Sequence, residues 1–218
     1  IIFFSSYTRV NVEQSVNFSS TNTKKIINPI IYLNNKFKRK KKFTNKTILC
    51  VGEVKNRKGY HLLIKALSIL NNKYKKNYDL ILIGKTNDRY YKRQLDEIII
   101  KNNLQNNVKF KDNVSVKKIK DYYLKSHIFV LLSKKAENHF EGFGIVYLEA
   151  LFYGLPIIIS KESGAKDLQN ISKNLKVISP NNSNKVAYEI MAAMNNKKYM
   201  NPKKNKKILF NHCKLNKN

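Results

Sequence analysis

Glu141 and Glu149 are the residues of this sequence whose type and spacing best suit chemistry. Glu149 stands inside an otherwise uncharged, mostly apolar run at 145–153. An ionised carboxylate in such a run costs several kcal/mol unless a partner hydrogen-bonds it. On one continuous helix the two glutamates would lie about 12 Å apart along the axis, too far to act together on one atom. The spacing therefore predicts a different role for each carboxylate.

The residues around the apolar run mark the ends of a helix. These boundary residues are Gly142, Gly144, Gly154 and Pro156. They predict a short buried helix over 144–153, with Glu141 on the loop before it and Glu149 in its second turn. The free amides and the positive end of such a helix favour an anion beside them, such as a diphosphate.

A second polar loop follows an earlier apolar run. TILCV at 47–51 is followed by Gly52 and then by Lys55, Arg57 and Lys58. At the carboxyl end of a strand these cations could meet a phosphate. The alternative is that they are ordinary surface charges of a basic protein.

Short β-branched runs alternate with segments of helical period from about residue 47 onward. The predicted strands are 47–51, 79–83, 108–110, 128–132, 156–160 and 176–178. The predicted helices are GYHLLIKALSIL, YYKRQLDEIIIKNN, VKKIKDYYLK and SNKVAYEIMAAM. Apolar strands that alternate with single helices predict an α/β fold with a doubly wound parallel sheet. Its ligand site is expected at the carboxyl ends of the strands.

The charge of the chain is strongly positive, with 43 Lys and Arg against 14 Asp and Glu and a net charge of +29. Arginine, which reads base edges best, occurs only at positions 9, 39, 57, 89 and 93. The excess of lysine, asparagine and isoleucine is typical of A/T-rich codons. A basic nucleic-acid-binding domain is therefore an alternative that charge alone favours, and the cluster KFKRKKKF at 36–43 is interpreted as an exposed connector.

Four segments in unbroken order carry a resemblance to a known family. They are VGEVKNRKGYHLLIKAL, DLILIGK, VKFKDNVSVKKIKDYYLKSHIFVLLS and EGFGIVYLEALFYGLPIIISKESGAKDL. Over about residues 47–195 the chain resembles the carboxyl-terminal, donor-binding domain of family 4 (group 1) retaining glycosyltransferases of the GT-B fold. The Glu-x7-Glu motif from Glu141 to Glu149, after an RKG loop and before LEAL, is the most specific element.

The resemblance implies transfer of a hexose, of mannose or glucose type, from a nucleotide-diphosphate sugar. It implies retention of the anomeric configuration and no need for a metal or another cofactor. Glu149 would bind the ribose hydroxyls, and Glu141 would bind hydroxyls of the transferred sugar. Lys58, assisted by Arg57, would neutralise the charge that develops on the leaving diphosphate.

The same resemblance implies a set of backbone contacts to the donor. Amides around Phe143, Gly144 and Ile145 would face the sugar and the diphosphate, and Gly142 and Gly52 would belong to the same donor site. These positions match the glycine-rich start of the predicted helix and the end of the first predicted strand.

Some positions depart from the family's pattern. Glu53 stands where many relatives have arginine, which puts phosphate binding on that loop in doubt. Asp112 and Asn113 stand where relatives often have glycine, which leaves the nucleotide base open. His127 and His139 are expected as packing or loop residues.

Tyr122 and Tyr123 fit one face of a predicted helix. We expect both to be core or edge residues.

The resemblance divides the chain into three parts. Residues 1–44 resemble the end of an amino-terminal acceptor domain and a linker, 45–200 the donor-binding domain, and 201–218 a basic carboxyl-terminal segment. The expected acceptor, a glycan or a lipid, would bind through the missing acceptor domain, so the chain alone is expected to be inactive.

The expected location is the cytoplasm, with peripheral contact at the anionic inner face of the membrane and no specific nucleic-acid partner. A non-catalytic nucleotide-sugar-binding remnant is a further alternative to the enzyme.

Overall fold

The computed structural model describes residues 2–3, 10, 24–25, 40–136, 141–142, 144–170, 172 and 174–196. Predictions for Phe143, His139, most of 1–44, and 201–218 fall outside these residues. The predicted alternation of strands and helices falls almost wholly within them.

Six strands form one parallel sheet. They are β1 (Lys46–Val51), β2 (Tyr78–Ile83), β3 (Val108–Lys111), β4 (Ile128–Leu131), β5 (Ile157–Ser160) and β6 (Leu175–Ile178). Their order across the sheet is β3-β2-β1-β4-β5-β6, and every neighbouring pair is parallel. This is the order of a doubly wound sheet, so the predicted fold class and all six predicted strands are confirmed.

Four α-helices lie between strands of this sheet, and a fifth follows β6. They are α1 (Tyr60–Ser68), α2 (Arg89–Lys101), α3 (Val116–Lys125), α4 (Ile145–Phe152) and α5 (Ser183–Asn195). A π-helical turn, Ile69–Lys73, extends α1, and 3-10 segments cover Asn56–Lys58 and Gly164–Asn170. Outside this sheet, Ile2–Phe3 pairs in parallel with Lys24–Lys25.

The core lies on both faces of the sheet. All four residues of β4 are buried, as are the residues of β1 from Thr47 onward. The predicted apolar helix face is buried as well, at Leu62, Leu63, Ala66 and Leu67 of α1 and at Leu70 of the π-helical turn that follows. Continuous apolar strands are stable only when helices cover both faces, which is the arrangement found here.

Strand order changes direction between β1 and β4, and the loops after these two strands touch. Gly59 has a φ of +70°, and a Cβ there would collide with the carbonyl oxygen of Leu132. The backbone amide of Lys134 donates to the carbonyl oxygen of Arg57 at 2.7 Å. Two loops that are distant in sequence therefore meet at the carboxyl edge of the sheet.

The interpretation of 36–43 as an exposed connector holds for Lys40 and Lys41 and is wrong for the next two residues. Lys42 donates to the carbonyl oxygen of Ser126, and burial lowers its pKa to about 8. The Phe43 ring packs beside Tyr122 with 6.2 Å between centroids. The alkyl and aromatic parts of these side chains gain more from packing on α3 than from solvation.

Within the described ranges, none of the helices is long and apolar enough to cross a membrane.

Candidate active site

Helix α4 begins at a glycine for a steric reason. Gly144, the residue before the helix, has a φ of +68°, where residues with a Cβ are strained. A Cβ at this position would lie 2.6 Å from Cδ2 of Tyr147. The predicted helix over 144–153 is thus confirmed as Ile145–Phe152, but its first residue is 52% exposed and not buried.

Glu141 is held in place by its backbone. It forms an isolated parallel bridge with Ser163, and its carbonyl oxygen accepts from the amide of Gly164 at 2.9 Å. The loop before α4 is thereby tied to the segment after β5. This contact points the Glu141 side chain toward the loop that follows β1.

The Glu141 carboxylate lies in a largely buried cluster with two cations, of which the Arg57 side chain is 27% exposed. Oε2 pairs with Nζ of Lys58, lies 3.2 Å from Nη1 of Arg57, and accepts from Oγ of Ser133 at 3.4 Å. Glu141 is 8% exposed and Lys58 is 9% exposed. Two cations against one carboxylate leave one positive charge, and a buried charge of this kind favours an anionic ligand.

Glu149 lies in a different environment. Its Oε2 accepts a hydrogen bond of 2.9 Å from the hydroxyl of Tyr123 on α3. Burial raises the pKa of Glu149, and the hydrogen bond from Tyr123 opposes that rise. Burial and the nearby Glu149 charge raise the pKa of Tyr123, so its hydroxyl stays a donor. The two glutamates therefore have separate partners, as their spacing predicts.

A cavity of about 450 Å³ opens beside Glu149. Its lining residues are Val51, Val116, Lys117, Ile119, Lys120, Tyr123, Val146, Glu149, Phe152 and Tyr153. The walls are mostly apolar, with one carboxylate and two lysines as charged groups. Such a cavity suits a flat, partly apolar ligand that also presents hydroxyl groups.

The end of β1 connects this cavity to the buried cluster. Val51 lines the cavity, and a Cβ on the next residue, Gly52, would lie 4.0 Å from Nζ of Lys58. Glu149 and Lys58 thus lie on either side of the end of one strand. A single elongated ligand could contact both.

The third predicted cation of the loop, Lys55, has a different partner. Its Nζ lies 2.9 Å from Oε2 of Glu53, and Asn87 donates to the other Glu53 oxygen at 3.3 Å. The pKa of Glu53 is lowered, chiefly by the hydrogen bond from Lys55. Glu53, Asp112 and Asn113 share a second cavity of about 600 Å³.

The structure brings Arg57, Lys58 and Glu141 together and leaves Lys55 outside this group. Gly142 lies between Glu141 and α4. The ring of His127 accepts from the amide of Thr47 at 3.0 Å, which makes it the packing residue that the sequence predicts.

Tyr123 is the site residue whose role the sequence reasoning missed. It was expected in the core or at an edge, and it is 1% exposed. A buried tyrosine hydroxyl needs a hydrogen-bond partner, and this requirement is the signal that could have linked it to Glu149. Ser133 was missed too, and no pattern in the sequence marks it.

No group of three or more histidine, cysteine, aspartate or glutamate residues in the described ranges could hold a metal ion. The charged groups that meet here are cations facing a carboxylate.

The fold and the site together define a doubly wound α/β domain with a candidate ligand site at the carboxyl ends of β1 and β4, where the strand order changes direction. The sequence profile of the family described as glycosyl transferases group 1 matches residues 33–208. The chain belongs to this family.

Similar proteins agree with this assignment. An uncharacterized glycosyltransferase of Haemophilus influenzae is 28% identical over 156 residues, which is 71% of this chain and 41% of that protein. HepE of Anabaena, solved in complex with UDP and glucose, superposes with a TM-score of 0.74 at 21% identity, over 98% of this chain and 57% of that one. The carboxyl-terminal domain of a group 1 glycosyl transferase from Francisella tularensis has a TM-score of 0.60 at 22% identity, over 78% of this chain and 84% of that domain.

The chain therefore spans less than half the length of the Haemophilus protein and most of the Francisella domain.

Proposed function

We propose that this chain is the donor-binding part of a retaining glycosyltransferase. It would transfer a hexose of mannose or glucose type from a nucleotide-diphosphate sugar to a glycan or lipid acceptor. The observation that carries the proposal is the buried cluster of two cations and one carboxylate, which lies beside a cavity with a second carboxylate.

Lys58 and Arg57 supply the charge for a diphosphate in this proposal. Both contact Oε2 of Glu141, so the cluster keeps one positive charge when all three side chains are ionised. A diphosphate that reaches Nζ of Lys58 gains a charge-assisted hydrogen bond and need not displace Glu141 fully. As the diphosphate leaves the sugar, the same cations would neutralise its developing charge.

Glu149 supplies acceptors for the ribose hydroxyls. Only Oε2 is occupied by Tyr123, and the side chain lines the cavity. Among the described residues Oε1 has no hydrogen-bond partner, so it is available for a hydroxyl donor. The largely apolar walls of the cavity would cover the flat base.

Glu141, which pairs with both cations, would bind hydroxyls of the transferred sugar. In a retaining reaction the acceptor oxygen attacks the anomeric carbon on the face from which the diphosphate leaves. A phosphate oxygen of the donor would take the acceptor's proton. The amides around Phe143, Gly144 and Ile145, with Gly142 and Gly52, would line the path between sugar and diphosphate.

The structural likeness to HepE, whose complex contains UDP and glucose, supports a uridine nucleotide and a hexose. We also propose that the reaction needs no metal ion, so donor binding should persist in EDTA. The acceptor would bind to a second domain, since the chain spans 57% of HepE.

Calorimetry with UDP and GDP tests the proposal on the intact chain. Glu149→Ala should weaken binding severely, whereas Glu189→Ala, which changes another half-buried helical glutamate, should bind like the parent. Lys58→Ala should weaken binding at least about 10-fold, because it removes a charge-assisted contact. Lys118→Ala, which removes an exposed lysine, is the matched control for Lys58→Ala. Equal affinities in all variants would refute the assignment.

Two alternative functions of the chain would give different experimental results. A non-catalytic remnant would bind the nucleotide sugar but stay inactive after fusion to a complete acceptor domain. A nucleic-acid-binding domain would bind DNA with sequence preference at physiological salt. We expect only weak DNA binding that falls steeply as salt rises, as counterion release requires.

We also propose a cytoplasmic location with peripheral contact at an anionic membrane. The exposed lysines at the start of α3, Lys117 and Lys118, support this contact because anionic lipids attract clustered basic residues. Co-sedimentation with anionic vesicles, compared with neutral vesicles, tests it. Equal recovery with both would refute the contact.

A further inference from the structure

Tyr123 is unusually well fixed for a residue that reaches a ligand cavity. Its ring stacks on Tyr153, with centroids 5.3 Å apart and 18° between the planes, and also contacts Phe129 on β4 with centroids 6.0 Å apart. The hydroxyl lies 2.9 Å from Oε2 of Glu149 and 3.4 Å from the carbonyl oxygen of Val146. The ring therefore has little freedom, and its hydroxyl points at the carboxylate.

The carboxylate that receives this hydrogen bond has no second partner. In the described part of the chain, Tyr123 makes the only hydrogen bond to the Glu149 carboxylate. A long glutamate side chain with one oxygen free can occupy several rotamers unless the other oxygen is held. The fixed hydroxyl therefore decides which way the free oxygen faces.

We propose that Tyr123 is a positioning residue for Glu149: its hydroxyl holds Oε2 so that Oε1 faces the cavity, ready for a ligand hydroxyl. This inference rests on the proposed function for the identity of the ligand, but not for the geometry. Tyr123 acts through Glu149 and has no contact of its own with the reacting atoms. Its contribution comes from preorganisation, which lowers the cost of ordering the site on binding.

The proposal also concerns the protonation of Glu149. The titratable groups that line the cavity with it are Lys117, Lys120 and Tyr123 on α3 and Tyr153 after α4. Tyr123 is the group that hydrogen-bonds the carboxylate, and this bond lowers the pKa of Glu149 against the effect of burial. Removal of the hydroxyl should therefore raise the pKa of Glu149 further.

Tyr123→Phe is the test variant, and Tyr122→Phe is its matched control. The control makes the same chemical change one residue earlier, on a ring that packs against Phe43. Carbon-13 NMR titration of the Glu149 carboxyl in the ligand-free chain should give a higher pKa in Tyr123→Phe and the parent value in Tyr122→Phe. An unchanged pKa in Tyr123→Phe overturns the proposal without reference to any ligand.

Calorimetry with UDP supplies the second readout. Tyr123→Phe should weaken binding about 10-fold at neutral pH, since a hydrogen bond to a charged group is lost. As the pH is lowered, the UDP affinity of Tyr123→Phe should begin to fall at a higher pH than the UDP affinity of the parent. The variants that bind UDP weakly are compared by competition at high protein concentration, so that their affinities remain measurable.

A double-mutant cycle separates positioning from a merely structural effect. If Tyr123 acts through Glu149, Tyr123→Phe should have no further effect on UDP affinity in a Glu149→Ala background. Independent, additive losses overturn the proposal. If the parent fails to bind any nucleoside diphosphate, the proposed function fails, while the titration still decides the role of Tyr123.

Discussion

Glu149→Gln should stabilise the ligand-free chain at neutral pH. The carboxylate lies in a mostly apolar cavity, and Tyr123 is its only hydrogen-bond donor among the residues that the structure describes. Burial raises the pKa of Glu149 above 4.5, so its ionised form opposes folding. Glutamine keeps the shape and still accepts from Tyr123, but it carries no charge.

The gain should be about 0.5–1 kcal/mol. Single stabilising substitutions commonly add about 0.5–2 kcal/mol, and partial solvent screening of Glu149 favours the lower end of that range. For a chain of 150–250 residues this corresponds to a rise in Tm of about 1–4 °C. The same variant should bind UDP more weakly than the parent, because a carboxylate accepts from a ribose hydroxyl more strongly than an amide does.

The dependence on pH has a defined sign. Because the folded chain holds the Glu149 proton more tightly than the unfolded chain, the parent loses stability as pH rises from 4.5 to the raised pKa. The difference between variant and parent should therefore be near zero below pH 4.5 and largest at neutral pH.

Thermal unfolding across this pH range measures the difference. Glu189→Gln is the control, since its carboxylate pairs with Lys176 at 3.5 Å and its loss should not stabilise the chain. A lower Tm for Glu149→Gln at neutral pH would show that the charge supports the fold, and the reasoning would be refuted.

Three further predictions concern the backbone, catalysis and acid stability. Gly144→Ala should destabilise the chain by about 1–3 kcal/mol in urea unfolding, because a Cβ is strained at a φ of +68°; an unchanged midpoint would contradict this. In a chain rejoined to a complete acceptor domain, Glu141→Gln should lower turnover and leave UDP affinity nearly intact, and the reverse pattern would mean that the roles of Glu141 and Glu149 are exchanged. Burial lowers the pKa of His61 and of His127 from 6.5 to about 4. The unfolded chain therefore protonates these histidines at a higher pH than the folded chain does, and stability should fall as pH drops from 6.5 to about 4. His127→Gln should flatten that part of a plot of Tm against pH, and an unchanged slope would argue against its burial as the cause.

The sequence by itself determined the fold class and the edge of the sheet where the candidate site is expected. Six apolar runs separated by helical segments can bury their surface only as a sheet with helices on both faces. The carboxyl ends of parallel strands share one edge, and the sequence predicted the ligand site at that edge. The glycines before Ile145 likewise predicted where α4 begins, because local backbone conformation depends on nearby residues.

Only the tertiary structure decided which side chains pair. Glu141 contacts Lys58, which lies 83 positions away, whereas Lys55, three residues before Lys58, pairs with Glu53 instead. The hydroxyl of Tyr123 on α3 reaches Glu149 on α4, although the two residues are 26 positions apart in the sequence. Hydrophobic periodicity shows which face of a helix is buried, but the rotamers and the distances between elements depend on the packing of the whole core.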